Sequence, residues 1–272
     1  MTWRRGREVL SCAEVRGRLL LFQAVLRRKL LGRLSWGETR PVKRKELRLA
    51  CVKGGVQVSS EVERQSADVI NFKILYHGTK ELIPFNWFHP RPFETHSQTA
   101  FETDYISEGA AAFRKKIFAT VGYYPEDFFI SHEGYDLAYR LLDRKFKIIY
   151  SPDIEVYHKI SRVQRESWRN SYYDTRNYIW LIIKYYPPLS ACRHLLYRLC
   201  TTFLFALRRG QPHWYLLALR DAIRGLPIQL RKRQVLGTRT TAKLKEIRRY
   251  APGLGYKIGS FIGRTAALNK RL

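Results

Sequence analysis

Three ionisable side chains in the middle of this 272-residue chain, Glu133, Asp136 and His158, are spaced so that they could move a proton or meet a charged ligand. Glu133 and Asp136 stand three apart in what the pattern makes the first turn of a helix, so both project from one face. A helix N-terminus favours carboxylate charge by roughly 0.3–1 kcal/mol, which keeps such an acid ready to accept a proton. A positioned general base is typically worth about 10²–10⁴ in rate. The competing reading is structural: Asp136 complements the helix dipole and pairs with Arg140 at the i+4 position. His158 ends a strand-like run, where an imidazole could ligate a metal, contact a phosphate, or simply be a hydrogen-bonded surface group. One histidine does not make a metal site.

The elements that must position these groups are read from periodicity. DVINFKILY, ending at Tyr76, is rich in β-branched and aromatic residues and runs into His77-Gly78, as a strand entering a turn does. An aromatic, proline-containing loop with Trp87, Phe88 and Phe93 follows. Glu108-Gly109-Ala110 makes a tight passage of small residues, and Ala111 to Thr120 is expected to form a short helix with a basic face, broken by Gly122 and Pro125. PEDFFISHEG then leads into a helix from Glu133 to Arg144. FKIIYSPDIEVYH reads as two short strand-like pieces around Ser151-Pro152-Asp153. Apolar residues at helical spacing predict further helices over Arg165 to Tyr186, Ala191 to Arg209 and Gln211 to Leu230, with a loosely held basic tail after Arg231. Near the start, a helix over Ala13 to Leu31 is compatible with the spacing of Leu19, Phe22, Leu26 and Leu30.

The net charge of +27 would suit a nucleic-acid partner, but its distribution argues otherwise. Residues 1–64 carry 16 Lys/Arg against 6 Asp/Glu, residues 65–186 carry 16 against 15, and residues 187–272 carry 18 against 2. The centre is nearly neutral and the excess sits at both ends. The division expected is therefore a basic, poorly ordered segment over 1–66, a packed unit over 67–186, and basic amphipathic helices with a tail over 187–272. The four cysteines form no CxxC pair and no zinc-site spacing. The start of the chain has no signal-peptide pattern. The longest apolar run, Leu195 to Leu207, contains Arg198 and falls short of the roughly 20 residues a membrane span requires.

Taken together, Glu108-Gly109-Ala110, Phe113-Arg114-Lys115, Val121-Gly122, Glu126-Asp127-Phe128-Phe129, His132 through Leu137, Arg140, Ser151-Pro152 and His158 resemble, in order and approximate spacing, the C-terminal half of family-2 nucleotide-sugar glycosyltransferases. Tyr172-Tyr173, Arg176-Asn177 and Tyr186-Pro187 continue the resemblance, which is closest to the rhamnosyltransferase-like members and covers about residues 67–235. The resemblance implies an α/β fold of the GT-A type, here a partial nucleotide-sugar-binding sheet followed by C-terminal amphipathic helices. It implies inverting transfer of a sugar from a nucleotide diphosphate sugar to a hydroxyl of a saccharide or lipid-linked acceptor, as in the assembly of cell-envelope polysaccharide. Glu133 or Asp136 would be the base, with Glu133 preferred. Glu108, Gly109 and Ala110 would line the acceptor side, Arg176 would neutralise diphosphate charge, and His158 would assist a divalent cation, Mg²⁺ or Mn²⁺.

Two departures stand out. The family's usual Glu-Asp-x-Asp-Leu reads Glu133-Gly134-Tyr135-Asp136-Leu137 here, so the acid commonly assigned as base is replaced by glycine. No Asp-x-Asp occurs anywhere, and residues 1–66 lack a strand-helix-strand pattern, as a truncated or frame-disrupted chain without the donor half would. The basic helices suggest a peripheral position on the anionic inner face of a membrane, in the cytoplasm. The alternative is a non-catalytic basic module that binds membrane or nucleic acid through its ends; the neutral centre and the absence of a nucleic-acid motif disfavour nucleic acid.

Overall fold

The computed structural model describes residues 9–11, 55–77, 79–82, 87–158 and 168–253. The expected helix over Ala13 to Leu31 lies outside them. In chain order the elements are β1 (Val9–Ser11), α1 (Gly55–Arg64), β2 (Val69–Tyr76), α2 (Phe93–His96), β3 (Phe101–Glu102), β4 (Ala111–Arg114) and α3 (Ile117–Val121). Then come α4 (Glu133–Asp143), β5 (Ile148–His158), α5 (Trp168–Tyr185), α6 (Pro188–Arg208), α7 (Pro212–Arg231), α8 (Thr238–Ile247) and a 3₁₀ turn, Arg248–Tyr250. The fold is mixed α/β. Five strands form one sheet in the order β1-β4-β2-β5-β3, with β2 and β5 parallel and the other pairs antiparallel.

Val69, Ile70, Asn71 and Phe72 are all buried, as expected of a central strand covered on both faces. On one face, Val58 and Val62 of α1 pack with Ala67, Ile70, Phe72, Ala110, Ala112, Ile149 and Ile154. Complete burial of a valine is worth roughly 1.5–3 kcal/mol, so α1 is part of the packed unit, which reaches back past the boundary expected at residue 67. On the other face, Val69, Phe113 and Ile148 meet Leu137 and Leu141 of α4, Trp180 and Tyr185 of α5, and Leu244 and Ile247 of α8.

Three local expectations are corrected. Ala111 to Arg114 is a strand, not the start of a helix: it pairs with β1 and β2, and Ala112 faces α1 while Ala111 and Phe113 face α4. Only Ile117–Val121 is helical, and it stops at Gly122, whose φ of 73° suits glycine. The pieces around Pro152 are one strand with a bulge. Phe72 pairs with Ser151 but Lys73 pairs with Glu155, so Pro152, Asp153 and Ile154 bow out of the ladder, at a proline that cannot donate to it. Of the tail expected to be loose after Arg231, the described part, residues 232–253, is tied down, because Leu244 and Ile247 are core residues.

The C-terminal helices join the same body. Trp180 of α5 donates its indole N–H to the carbonyl of Ala222, 3.0 Å away, and its ring lies flush on Gly225 of α7. A β-carbon at Gly225 would stand only 2.8 Å from Trp180 Cε2, so helices α5 and α7 meet at a distance that glycine permits. Among the described residues, no helix is long and apolar enough to cross a membrane.

Candidate active site

A single polar residue in the apolar strand β2 starts the assembly. Asn71 is completely buried, and its amide fastens the loop between β3 and β4: Nδ2 donates to the Tyr105 carbonyl at 3.0 Å and Oδ1 accepts the Ser107 N–H at 2.7 Å. The Ala110 N–H closes the turn onto the Ser107 carbonyl at 3.2 Å. Glu108 stands at the partly exposed apex. Its carboxylate reaches across to the start of α4, where Oε1 accepts the Gly134 N–H at 3.0 Å, and Oε2 accepts the Tyr105 hydroxyl at 3.4 Å. The N-cap residue of α4, His132, makes no capping side-chain hydrogen bond. Glu108 therefore supplies the charge and acceptor that helix N-termini favour, from 26 residues away in sequence.

This contact explains why residue 134 is glycine. A β-carbon at Gly134 would collide with the carbonyl oxygen of Ile106 and stand 2.6 Å from Glu108 Oε1. With the loop in this position no carboxylate can project from residue 134, and the carboxylate of Glu108 lies over it instead. Glu133 adds a second carboxylate at the same helix end, 4% exposed. The Tyr105 phenol senses all of them: burial first, then Glu108, Tyr135 and Glu133, hold its pKa well above the ordinary value. Above them lies an aromatic surface. Phe88, half exposed, is 5.3 Å from the Tyr105 ring, Tyr105 is 5.0 Å from Tyr135, and the Tyr135 hydroxyl donates to the Phe88 carbonyl at 2.9 Å.

Asp136 has a different environment. It is completely buried, and its oxygens accept from Lys184 Nζ at 2.5 Å, the Tyr185 hydroxyl at 2.9 Å and Arg140 Nε at 3.0 Å. Arg140 also donates to the carbonyls of Val121 and Tyr123. Asp136 thus ties α4 to α5 and to the loop after α3, and no acceptor can reach it without displacing these groups.

The loop that delivers α4 is held in an unusual conformation. Phe129, Ser131 and His132 all have positive φ, at 61°, 72° and 64°, a region costly for residues with a side chain. Asn177 of α5 pays for it locally: its Nδ2 lies 2.8, 2.7 and 2.8 Å from the carbonyls of Phe128, Ile130 and Ser131. Arg176 assists, donating to the carbonyls of Asp127 and Phe128 at 3.1 and 3.3 Å, with its guanidinium 4.3 Å from the Trp180 ring centroid. Its guanidinium thus supports this loop. On the side facing α5, the Ser131 hydroxyl donates to Asp174. Burial lowers the His132 imidazole pKa to about 3, helped by Arg198 and opposed by a hydrogen bond with the Asp174 backbone.

The fold brings Glu108 and Glu133 together and gives the other expected residues different settings. Gly109 is exposed beside Glu108. Ala110 is buried against α1 in the opposite core. His158 pairs in register with Tyr76 at the end of β5, and by strand alternation falls on the face of Val156, which packs towards α1 rather than α4. The nearby Glu155 is engaged by Lys73 at 3.0 Å. Among the described residues no group of three His, Cys, Asp or Glu side chains could hold a metal ion. Glu108, Glu133 and His158 do not come together as a set of divalent-cation ligands.

Several contributors were not singled out from the sequence. Asn71 was visible only as an amide inside an apolar run. Arg248 donates to Asp104 at 2.5 Å and to the hydroxyls of Tyr186 and Tyr139 at 2.8 and 2.6 Å, pinning the chain just before Tyr105. A cleft of about 580 Å³ is lined by Asp143, Lys145, Arg239 and Lys243 at the other end of α4. It lies about 15 Å along the helix from Glu133, away from these carboxylates. No model of a known protein family matches the chain, and no curated protein matches it.

Proposed function

We propose that the chain carries the acceptor-and-base part of a nucleotide-sugar glycosyltransferase of the GT-A type, formed by the β3–β4 loop and the start of α4. The observation that carries this reading is the placement of Glu108 over Gly134, beside Glu133 and under the aromatic surface of Phe88, Tyr105 and Tyr135. Aromatic walls with a few fixed polar groups are what a small-molecule site requires, and a saccharide hydroxyl has a carboxylate to meet there.

Glu108 is the base. It is the more accessible of the two glutamates. As the acceptor oxygen attacks the anomeric carbon, its proton passes to Glu108. The bond from that carbon to the diphosphate breaks with its electron pair, and the nucleoside diphosphate leaves from the opposite side. Configuration inverts. Glu133 lies behind the base at the same helix end, and Asp136 holds the helix that carries Glu133 and that Glu108 caps.

The test is turnover of a panel of nucleotide diphosphate sugars by the full chain, with saccharide and lipid-linked acceptors, in the presence of Mg²⁺ or Mn²⁺. Glu108→Gln is expected to lower kcat about 10²–10⁴-fold with a smaller change in KM. Loss of turnover in Glu133→Gln with none in Glu108→Gln would overturn the choice of base. Neither turnover nor nucleoside diphosphate binding by the folded wild-type chain would overturn the sugar-transfer reading itself.

A further inference from the structure

Helices α6 and α7 both pack on α5 and against each other, and both present apolar side chains to solvent. On α6 the exposed set is Leu189, Leu196, Tyr197, Phe203, Leu204 and Leu207; on α7 it is Leu216, Ile223, Ile228 and Leu230. These are not marginal cases, since Leu189, Leu196 and Ile223 are 87%, 70% and 66% exposed. The pattern is also ordered. At about 100° per residue, Leu189, Leu196, Phe203 and Leu207 fall within a sector of about 40°, and Leu216, Ile223 and Leu230 within another of the same width. The residues facing inward, Ala191 and Ala206 on α6 and Tyr215, Ala218 and Ala222 on α7, lie well round each helix from those stripes.

Charge identifies what covers them. From 188 to 231 the chain has seven arginines, no lysine and a single acid, Asp221. Asp221 is engaged by Arg220 at 2.9 Å and by the Tyr172 hydroxyl at 2.6 Å, with Arg224 at 3.7 Å. Arg193, Arg208, Arg220, Arg224 and Arg231 are all exposed, and on the helical projection all five lie on the same side of their stripe, about 40–100° beyond its border. A second protein would have to bring an apolar face edged with acids. An anionic bilayer supplies both properties at once, because acyl chains receive the leucines while lipid phosphates meet the guanidinium groups. A nucleic acid would match the arginines but leave ten large apolar side chains unsatisfied.

We infer that the outer faces of α6 and α7 form a docking surface for an anionic lipid bilayer, on which this chain lies without spanning it. The inference does not depend on the sugar-transfer proposal, and its test involves no turnover.

The experiment is co-sedimentation of the full chain with vesicles of phosphatidylcholine alone and of phosphatidylcholine mixed with phosphatidylglycerol. Binding is expected only to the anionic vesicles and should weaken as NaCl is raised and the screening length shortens. Replacing Arg193, Arg224 and Arg231 together by Gln is expected to lower partitioning about 100-fold, a factor of about five for each arginine. Replacing Leu196, Leu207 and Ile223 by Ser should abolish it at unchanged circular dichroism. Because all six positions are exposed, the variants retain the core; an unfolded spectrum in one set leaves the other set and the lipid comparison to decide. Equal binding to both vesicle types, binding insensitive to salt, or no binding at all would overturn the inference. So would a stable dimer that fails to bind vesicles, or a higher affinity for duplex DNA than for anionic lipid.

Discussion

Replacing Asp136 by Asn is expected to destabilise the fold rather than to slow a reaction on an intact scaffold. The carboxylate is fully buried, and one of its partners, the Lys184 ammonium 2.5 Å away, is itself only 8% exposed. The asparagine amide keeps one oxygen for Tyr185 or Arg140 but leaves the ammonium without a counter-charge. Breaking a buried pair by removing one partner typically costs about 3–5 kcal/mol, because the remaining charge stays desolvated. For a domain of this size each kcal/mol lowers Tm by about 2–4 °C, so a fall of roughly 6–20 °C is expected. Urea denaturation followed by circular dichroism gives the same quantity from the midpoint at constant slope. Adding Lys184→Met should recover part of the loss, since the stranded charge disappears, and the two substitutions should be strongly non-additive. A variant within about 0.5 kcal/mol of wild type but without transferase turnover would refute the reasoning and make Asp136 a chemical participant.

Two further predictions concern the scaffold. His89 is buried among Trp87, Phe101, Tyr105 and Tyr150, and burial lowers its pKa to about 3 from an ordinary value of 6.5. Below about pH 6.5 the unfolded chain therefore takes up a proton that the folded one refuses. Stability contributed by the neutral ring is complete above that pH and erodes by up to about 1.4 kcal/mol per pH unit towards pH 3. Measured unfolding free energies between pH 7 and 4 should show a slope smaller by up to one proton in His89→Gln; an unchanged slope contradicts the assignment. Gly225→Ala should lower stability by about 1–3 kcal/mol, the usual range for overpacking, seen as a reduced urea midpoint. Trp180→Leu in the same chain should relieve that strain.

The long helices are legible in the sequence because their apolar residues recur at helical spacing, as Trp168, Tyr172, Ile179 and Ile183 do, and because Pro187 and Pro188 mark the join between α5 and α6. Strand β2 is legible for a similar reason: five of its eight residues are β-branched or aromatic, and the run ends at a turn signal. Ala111 to Arg114 misleads because alanine favours helix when considered locally, whereas its strand state is imposed by β1 and β2 on either side. Helix α8 is missed because Leu244 and Ile247 are two apolar residues in a basic stretch, and their value depends on a core assembled far away in the chain.

The site shows the same division. Glu133 is readable as a carboxylate at a helix start, and the preference for Asp136 as a structural residue can be argued from its position one turn in. The meaning of Gly134 cannot be read locally, since it depends on where the backbone of Ile106 passes. Glu108 is noticed for its neighbours, not for its cap on α4, because nothing in a linear sequence links a loop carboxylate to a peptide N–H 26 residues later.

Arg248 has a consequence for how the protein is made. Its bond to Asp104 closes a span of 144 residues, and Leu244 and Ile247 complete the core one turn before it. Loops this long cost entropy that is recovered only when the last contact forms. A chain emerging from the ribosome can assemble β2 with β4 and β5 early, but the segment leading to Tyr105 and Glu108 has no anchor at Asp104 until residue 248 has left the exit tunnel. Until then Asn71, through Tyr105 and Ser107, holds the loop that carries Glu108.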